Sequence, residues 1–131
     1  MKKTALLNKE ISEVIASMGH MDTMVVADAG LPIPEKVRRI DLAVSKGVPS
    51  FLDVLRAIDS ELKVQRIIVA QEMGNRSPHI RQALDQLFSG IPMEQLPHEQ
   101  FKELCKNARA VVRTGECTPY ANVILESGVI F

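Results

Sequence analysis

Three polar residues flank a short apolar segment near the start of the chain, and their types are suited to acid–base chemistry. His20 and Asp22 stand just before the segment Met24–Ala27, and Asp28 stands just after it. The segment is short and rich in β-branched residues, which predicts a buried strand rather than a helix. Titratable groups at the ends of a buried strand are typical of ligand sites in α/β proteins. The pattern therefore predicts an enzyme or a small-ligand binder.

Only three histidines are present, and histidine is the side chain that titrates near neutral pH. His79 lies in the first turn of a predicted helix, a position typical of a solvated surface residue. His98 begins another predicted helix, where a capping role, a surface role and a role in a site all stay open. His20 follows the first predicted helix, so it is either a residue that satisfies the helix end or a site residue beside Asp22 and Asp28.

A second dense group of polar residues occupies the segment 113–122, which reads Arg-Thr-Gly-Glu-Cys-Thr-Pro-Tyr-Ala-Asn. It follows a predicted buried strand, where ligand-binding loops commonly lie. A solvated structural turn is the alternative interpretation. Tyr120 is the only tyrosine and the chain has no tryptophan, so Tyr120 is the best candidate for an aromatic platform if the ligand is a sugar.

The elements that must position these residues alternate along the chain. Helices are predicted after the caps Asn8, Ser50 and Ser77 and from His98 to Lys106. Strands are predicted at about 24–27, 39–44, 66–70, 91–96, 110–113 and 122–126. Alternation of this kind predicts one α/β domain over residues 1–131, with three α/β/α layers and a mostly parallel, mixed sheet of about six strands.

Composition limits the classes of partner and location. Sixteen basic and sixteen acidic residues cancel, so no global field favours nucleic acid or an acidic membrane. No apolar run has the length of a membrane span, and no secretory signal is evident, which predicts a cytoplasmic protein. Cys105 and Cys117 match no zinc-binding spacing. The apolar C-terminus Val129–Phe131 is expected to pack against the sheet edge or another subunit near the 113–122 loop, which favours a homo-oligomer.

Four motifs, in order along the chain, resemble the D-ribose pyranase family, which is related to the fucose mutarotases. They are Gly19-His-x-Asp22, Ala27-Asp-Ala-Gly-Leu-Pro32, His98-Glu-Gln-Phe-Lys102 and Arg113-Thr-Gly-Glu-x-x-Pro-Tyr-Ala-Asn122. The resemblance implies interconversion of the pyranose and furanose forms of free D-ribose, without cofactor or metal. It also implies a cytoplasmic homodecamer with sites near subunit boundaries, and an association with ribose import and phosphorylation.

The resemblance assigns roles to individual residues. His20 matches the catalytic acid of the family. The sugar-binding positions of the family match Asp28, His98, Lys102, Tyr120 and Asn122. The residue types fit this chemistry, since opening a cyclic hemiacetal needs one group to protonate the ring oxygen and another to take the anomeric proton.

Three alternatives remain open from the sequence. A fucose mutarotase would share the chemistry and differ in the sugar. A catalytically silent sugar-binding accessory protein of ribose uptake would bind ribose without changing ring-exchange rates. A metal-dependent aldolase or isomerase would use a divalent ion, for which the available ligands are His20, Asp22, Asp28 and His98.

Overall fold

A computed structural model describes all residues from Met1 to Phe131. Five helices and six strands alternate along most of the chain, as expected. The helices are α1 (Lys9–Ser17), α2 (Phe51–Asp59), α3 (Met73–Arg76), α4 (Pro78–Leu87) and α5 (His98–Cys105). The strands are β1 (Thr23–Ala27), β2 (Arg38–Asp41), β3 (Val64–Ala70), β4 (Met93–Leu96), β5 (Ala110–Arg113) and β6 (Val123–Ser127). None of the helices is long and apolar enough to span a bilayer.

The strands form one mixed sheet in the order β2-β5-β1-β6-β3-β4. Strand β1 pairs in parallel with β5, β5 in parallel with β2, and β3 in parallel with β4. Strand β6 pairs antiparallel with both β1 and β3, so it alone runs against the other five. The carboxyl ends of β1–β5 and the amino end of β6 therefore share one edge of the sheet, here called the carboxyl edge. The opposite edge is called the amino edge.

The sheet separates two apolar cores of unequal size. The larger core joins one face of the sheet to α1, α2, α3 and α4 through residues such as Ile11, Leu55 and Leu84. The smaller core joins the other face to α5 and the segment 28–37, with Phe101 at its centre. The central strands β1 and β5 are apolar and buried along most of their length because both faces of the sheet are covered, whereas the outer strands β2 and β4 carry charged residues. The three-layer, mostly parallel architecture expected from the sequence is confirmed.

Helix starts follow local sequence signals in two cases and depart from them in a third. The side chains of Asn8 and Ser50 accept hydrogen bonds from the backbone N–H groups three residues later, as N-caps do. Ser77 precedes Pro78 at the start of α4 but makes no capping bond, and its hydroxyl instead donates to the carbonyl of Met73. The short helix α3 ends at this point, and the Ser77 hydroxyl bonds to its backbone. The hydroxyl therefore does not make the capping bond to α4 that the sequence predicted.

Candidate active site

Five of the predicted site residues lie on elements that meet at the carboxyl edge. Asp28 directly follows β1, and His98 directly follows β4 after one proline. Tyr120 and Asn122 directly precede β6, whose reversed direction brings its amino end to the same edge. Because β6 runs antiparallel to β1, the loop 113–122 that precedes β6 lies beside Asp28. The sheet topology determines this placement.

Asp28 and Asn122 form a two-point contact. The backbone N–H of Asp28 donates to Oδ1 of Asn122 at 2.8 Å, and Nδ2 of Asn122 donates to Oδ2 of Asp28 at 3.0 Å. Asn122 is 1 % exposed, so its amide is desolvated and needs both partners. The other carboxylate oxygen of Asp28 accepts from the N–H of Gly30 at 2.9 Å. The contact holds Asp28 beside a cleft of about 390 Å³ that is lined by residues 28–30 and 116–119 and not by His98, Tyr120 or Asn122.

His98 is oriented by its backbone and by two rings. Its N–H, the first of α5, donates to the Glu72 carboxylate at 3.1 Å. Its imidazole stacks on Phe101 with the ring centres 6.1 Å apart, and meets Tyr120 edge-on at 5.0 Å. Buried Nδ1 of His98 has no hydrogen-bond partner. A lone pair is cheaper to leave unpaired in a buried site than an N–H, so we expect neutral His98 to carry its proton on Nε2.

Tyr120 adopts a backbone conformation that is rare outside glycine. Its φ is 60°, in the left-handed region, where a side chain costs roughly 1–2 kcal/mol. Such outliers persist where the surrounding structure over-determines them, and they cluster at functional sites. The conformation turns the chain sharply before Asn122 and sets the Tyr120 ring against His98. The guanidinium of Arg76 lies 5.9 Å from the centre of the same ring.

Lys102 lies one helical turn after His98 on α5, so the two residues share a face of the helix. Its ammonium pairs with Oε1 of Glu99 at 2.7 Å, and its side chain is 31 % exposed. The pair lies at the surface, where such ion pairs contribute little to stability. Lys102 is therefore free to exchange Glu99 for a ligand oxygen.

His20 lies at the amino edge, apart from the other five residues. The six residue steps from Asp22 to Asp28 run along β1 and span about 20 Å at 3.3 Å per residue, so His20, in the turn before Asp22, lies at the opposite end of the strand from Asp28. Nε2 of His20 lies 3.1 Å from Oε1 of Gln65 on β3. The following residue, Met21, has a φ of 69°. The two non-glycine residues in the left-handed region are thus Tyr120, a predicted site residue, and Met21, which is next to one.

The side chain of Asp22 makes hydrogen bonds that stabilise the local turn. Its carboxylate accepts from the N–H of Gly19 at 2.9 Å and from Arg109 at 3.0 Å, which closes the turn that carries His20. The hydrogen bond from Gly19 and the one from Arg109 lower the pKa of Asp22. The two aspartates that follow His20 in sequence thus separate in space, because Asp22 holds the His20 turn and Asp28 lies at the far end of β1.

The C-terminus follows β6 to the amino edge, so within one chain it does not reach the loop 113–122 and the expectation that it packs against the sheet there is wrong; its packing against another subunit stays a prediction. Side chains of Ile130 and Phe131 are 90 % and 101 % exposed, and they pack against no part of the sheet. The tail and His20 instead line the same cleft of about 530 Å³. The error arose because the sequence does not reveal that β6 runs antiparallel, which sends its two ends to opposite edges.

Comparison with known proteins identifies the family. A family model described as the RbsD / FucU transport protein family matches residues 1–130. The chain belongs to this family. Over the full length of both chains it is 59 % identical to a protein named D-ribose pyranase from Chloroflexus aggregans.

Two solved structures of RbsD / FucU relatives resemble the fold over the whole of both chains. The structure of Bacillus subtilis RbsD complexed with D-ribose has 45 % identity and a TM-score of 0.97. The fucose mutarotase in complex with L-fucose from Streptococcus pneumoniae has 28 % identity and a TM-score of 0.80. The resemblance that the four motifs indicated is therefore confirmed at the level of the family.

Two carboxylates of this RbsD / FucU member lie at the carboxyl edge and were not among the predicted site residues. Glu72 follows β3 and caps α5 at His98. Glu116 accepts from the N–H of Phe51, and its backbone carbonyl accepts from the N–H of Ala29. Both follow a strand within three residues, a signal that could have found Glu72. The partners of Glu116 are distant in sequence and carry no such signal.

Within one chain, the metal-site alternative does not match the arrangement of this family member. Its four ligands divide between the two edges, with His20 and Asp22 at the amino edge and Asp28 and His98 at the carboxyl edge. No group of three or more His, Cys, Asp or Glu side chains is placed to hold one ion.

Proposed function

We propose that this protein is a D-ribose pyranase, an isomerase that interconverts the pyranose and furanose forms of free D-ribose. The observation that carries the proposal is the 59 % identity, over every residue of both chains, to a protein of that name. The fucose mutarotase is more distant at 28 % identity, which favours ribose over fucose as the substrate.

The reaction needs proton transfer and no net input of energy. A general acid protonates the ring oxygen while a base takes the anomeric hydroxyl proton, which opens the ring to the aldehyde. A different hydroxyl then attacks the aldehyde, and the two protons return. Because the same groups must give and take protons, an imidazole that titrates near neutral pH suits the task.

We propose His20 as the catalytic acid and the carboxyl-edge residues as the sugar-binding set. The buried amide of Asn122 holds the carboxylate of Asp28 in place, and its second N–H and second lone pair are the groups that remain for a sugar hydroxyl beside that carboxylate. The Tyr120 ring offers an apolar face, and His98 offers an Nε2–H donor. Lys102 supplies a cation that can release Glu99 and bind a sugar oxygen.

A complete site then requires two copies of the chain, since within one chain the length of β1 separates His20 from Asp28. Exposed apolar side chains surround His20, namely Met21, Val129, Ile130 and Phe131. A cluster of this kind marks a protein interface. We therefore propose that the amino edge of one copy docks on the carboxyl edge of another and supplies His20. The homodecamer implied by the family resemblance is the assembly that we propose.

We also propose a cytoplasmic location. Both cysteines are unpaired thiols, and neither is placed for a disulfide with the other, which fits a reducing compartment. Free ribose brought in by import would be present there as a mixture of ring forms.

The proposal is tested by NMR saturation transfer between the ring forms of free D-ribose. The wild-type protein should accelerate exchange, and His20→Ala should lose about 10²–10⁴-fold of that acceleration. His79→Ala is the matched control, because His79 is exposed on α4. The His79→Ala protein should exchange the ring forms of ribose at the wild-type rate. Wild-type rates in a folded His20→Ala protein would reject the role of His20.

Binding measurements separate the remaining alternatives. Asn122→Ala and Tyr120→Ala should each weaken ribose binding, by roughly 0.5–1.5 kcal/mol for every neutral hydrogen bond lost. Unchanged affinity in both variants would remove the loop 113–122 from the site. Ribose binding without accelerated exchange would identify an accessory protein, and faster exchange of L-fucose than of D-ribose would identify a fucose mutarotase.

A further inference from the structure

A chain of polar side chains at the amino edge links His20 to a buried carboxylate. Nε2 of His20 lies 3.1 Å from Oε1 of Gln65, and Nε2 of Gln65 donates to Oε1 of Glu126 at 2.8 Å. The second carboxylate oxygen of Glu126 accepts from Arg66 at 2.6 Å. Only 7 % of the Glu126 side chain is exposed. The link is thus anchored in the sheet, while its other end reaches the exposed imidazole.

The backbone is shaped to place Gln65 in this link. Arg66 pairs with Glu126 across β3 and β6, and Val64 pairs with Ser127, so Gln65 is an extra residue at a β-bulge. Bulges re-aim a side chain and occur next to active sites. On the other side, a Cβ added at Gly128 would lie 3.0 Å from Cβ of Gln65. The Gln65 side chain therefore occupies space that a larger residue at 128 would take.

Glu126 decides which end of the Gln65 amide faces His20. Hydrogen bonding from Arg66 holds the pKa of Glu126 below its usual value, so the carboxylate is ionised near neutral pH and only accepts hydrogen bonds. The NH₂ group of Gln65 must then face Glu126, because the opposite orientation would set two acceptors together. Oε1 of Gln65 is left to face His20, and it too can only accept.

From this geometry we propose that Gln65, oriented by Glu126, is a positioning residue that holds the proton of His20 on Nε2 and leaves Nδ1 to exchange a proton with the sugar. This inference rests on the proposed function. In the acid step, the Nδ1 proton of the imidazolium passes to the ring oxygen, while the other proton stays on Nε2 and is donated in a hydrogen bond to Oε1 of Gln65. When the ring closes, the sugar returns a proton to Nδ1.

The kinetic test uses substitutions that break or exchange the link. Gln65→Leu removes the acceptor at similar size and should lower kcat for ring exchange about tenfold, a part of the 10²–10⁴-fold effect of a general acid, with KM unchanged. The double variant that swaps the two side chains, Gln65→Glu with Glu126→Gln, should restore kcat to within about twofold of wild type. It does so because Glu at 65 accepts from His20 and Gln at 126 donates to it. Gln65→Glu alone sets two carboxylates together and should stay impaired.

Glu94→Gln is the matched control, because Glu94 shares Arg66 at 2.8 Å but has no contact with Gln65. Its kcat should equal that of wild type. An unchanged kcat in Gln65→Leu would overturn the proposal, and so would a double exchange no better than Gln65→Glu alone. A rise in KM with kcat unchanged would likewise overturn it, since that would indicate a role in sugar binding.

A readout that is independent of activity separates this inference from the proposed function. Two-bond ¹H–¹⁵N NMR of histidine-labelled protein, with His20 assigned by His20→Ala, reports which ring nitrogen carries the proton. We expect Nε2–H in the neutral wild-type ring and a mixture of both forms in Gln65→Leu. An Nδ1–H ring in the wild type would overturn the inference. Absence of ribose exchange in the wild type, with Nε2–H observed, would instead reject the proposed function.

Discussion

Replacing Asn122 with Asp should make the stability of the protein depend strongly on pH. In the wild type, Nδ2 of Asn122 donates to Oδ2 of Asp28 at 3.0 Å, in a position where Asn122 is 1 % exposed. Asn122→Asp keeps the shape and the acceptor for the Asp28 N–H but replaces that donor with a second carboxylate oxygen. Two carboxylates at this separation share one proton, so one of them acquires a raised pKa.

The magnitude follows from the cost of keeping that proton. A carboxyl with an unfolded pKa of about 3.9 costs about 1.4 kcal/mol for each pH unit above it if it stays protonated in the folded state. The ceiling is therefore about 1.5 kcal/mol at about pH 5 and about 4 kcal/mol at about pH 7. A carboxyl whose pKa is higher in the folded state than in the unfolded state stabilises the folded protein at low pH, and this contribution is lost as the pH rises. The deficit of Asn122→Asp should thus grow from acid to neutral pH.

Urea denaturation at fixed protein concentration measures this deficit, because the stability of an oligomer depends on concentration. Asn122→Ala is the control, since it removes both contacts with Asp28 but adds no titrating group. It leaves the Asp28 N–H without its partner, which costs roughly 1–3 kcal/mol at every pH in this range. A deficit of Asn122→Asp that is the same at both pH values would refute the reasoning.

Three further outcomes follow from the structure. Arg66 lowers the pKa of Glu126, so the ion pair stabilises the fold above the pKa of the unfolded state, and this stabilisation is lost as the pH falls. Glu126→Gln should therefore reduce the loss of stability that is measured below about pH 4.5. Burial raises the pKa of the Cys105 thiol to about 12, so mass spectrometry after alkylation should find exposed Cys117 modified first and Cys105 only in denaturant. Deleting 129–131 should reduce the particle mass in light scattering and the ring-exchange rate together, and an intact assembly would remove the tail from the interface.

Much of the fold was predictable because its signals are local. The apolar run 24–27 and the capping residues Asn8 and Ser50 each act within a few residues, so they appear in the sequence as patterns. The starts of α5 at His98 and of β5 at Ala110 were predicted to the residue. Ser77 was the exception, because a neighbouring turn competed for its hydroxyl.

The residue types of the site were also evident from sequence, but their grouping was not. A histidine followed closely by two aspartates indicated a cluster, yet β1 separates His20 from Asp28 by its own length. Conversely, Asp28 and Asn122 are 94 positions apart and hydrogen-bond to each other. Spacing along the chain predicts contacts only within a helix or a turn, because an extended strand carries its two ends away from each other.

The sequence by itself determined the elements, the family and the kinds of side chain that the chemistry uses, since each depends on short segments of the chain. Tertiary structure decided the rest through the single reversed strand. Because β6 runs antiparallel between β1 and β3, its amino end brings Tyr120 and Asn122 to Asp28, and its carboxyl end brings Glu126 and the apolar tail to His20. Strand direction is set by hydrogen-bond partners distant in sequence, and no local pattern encodes it.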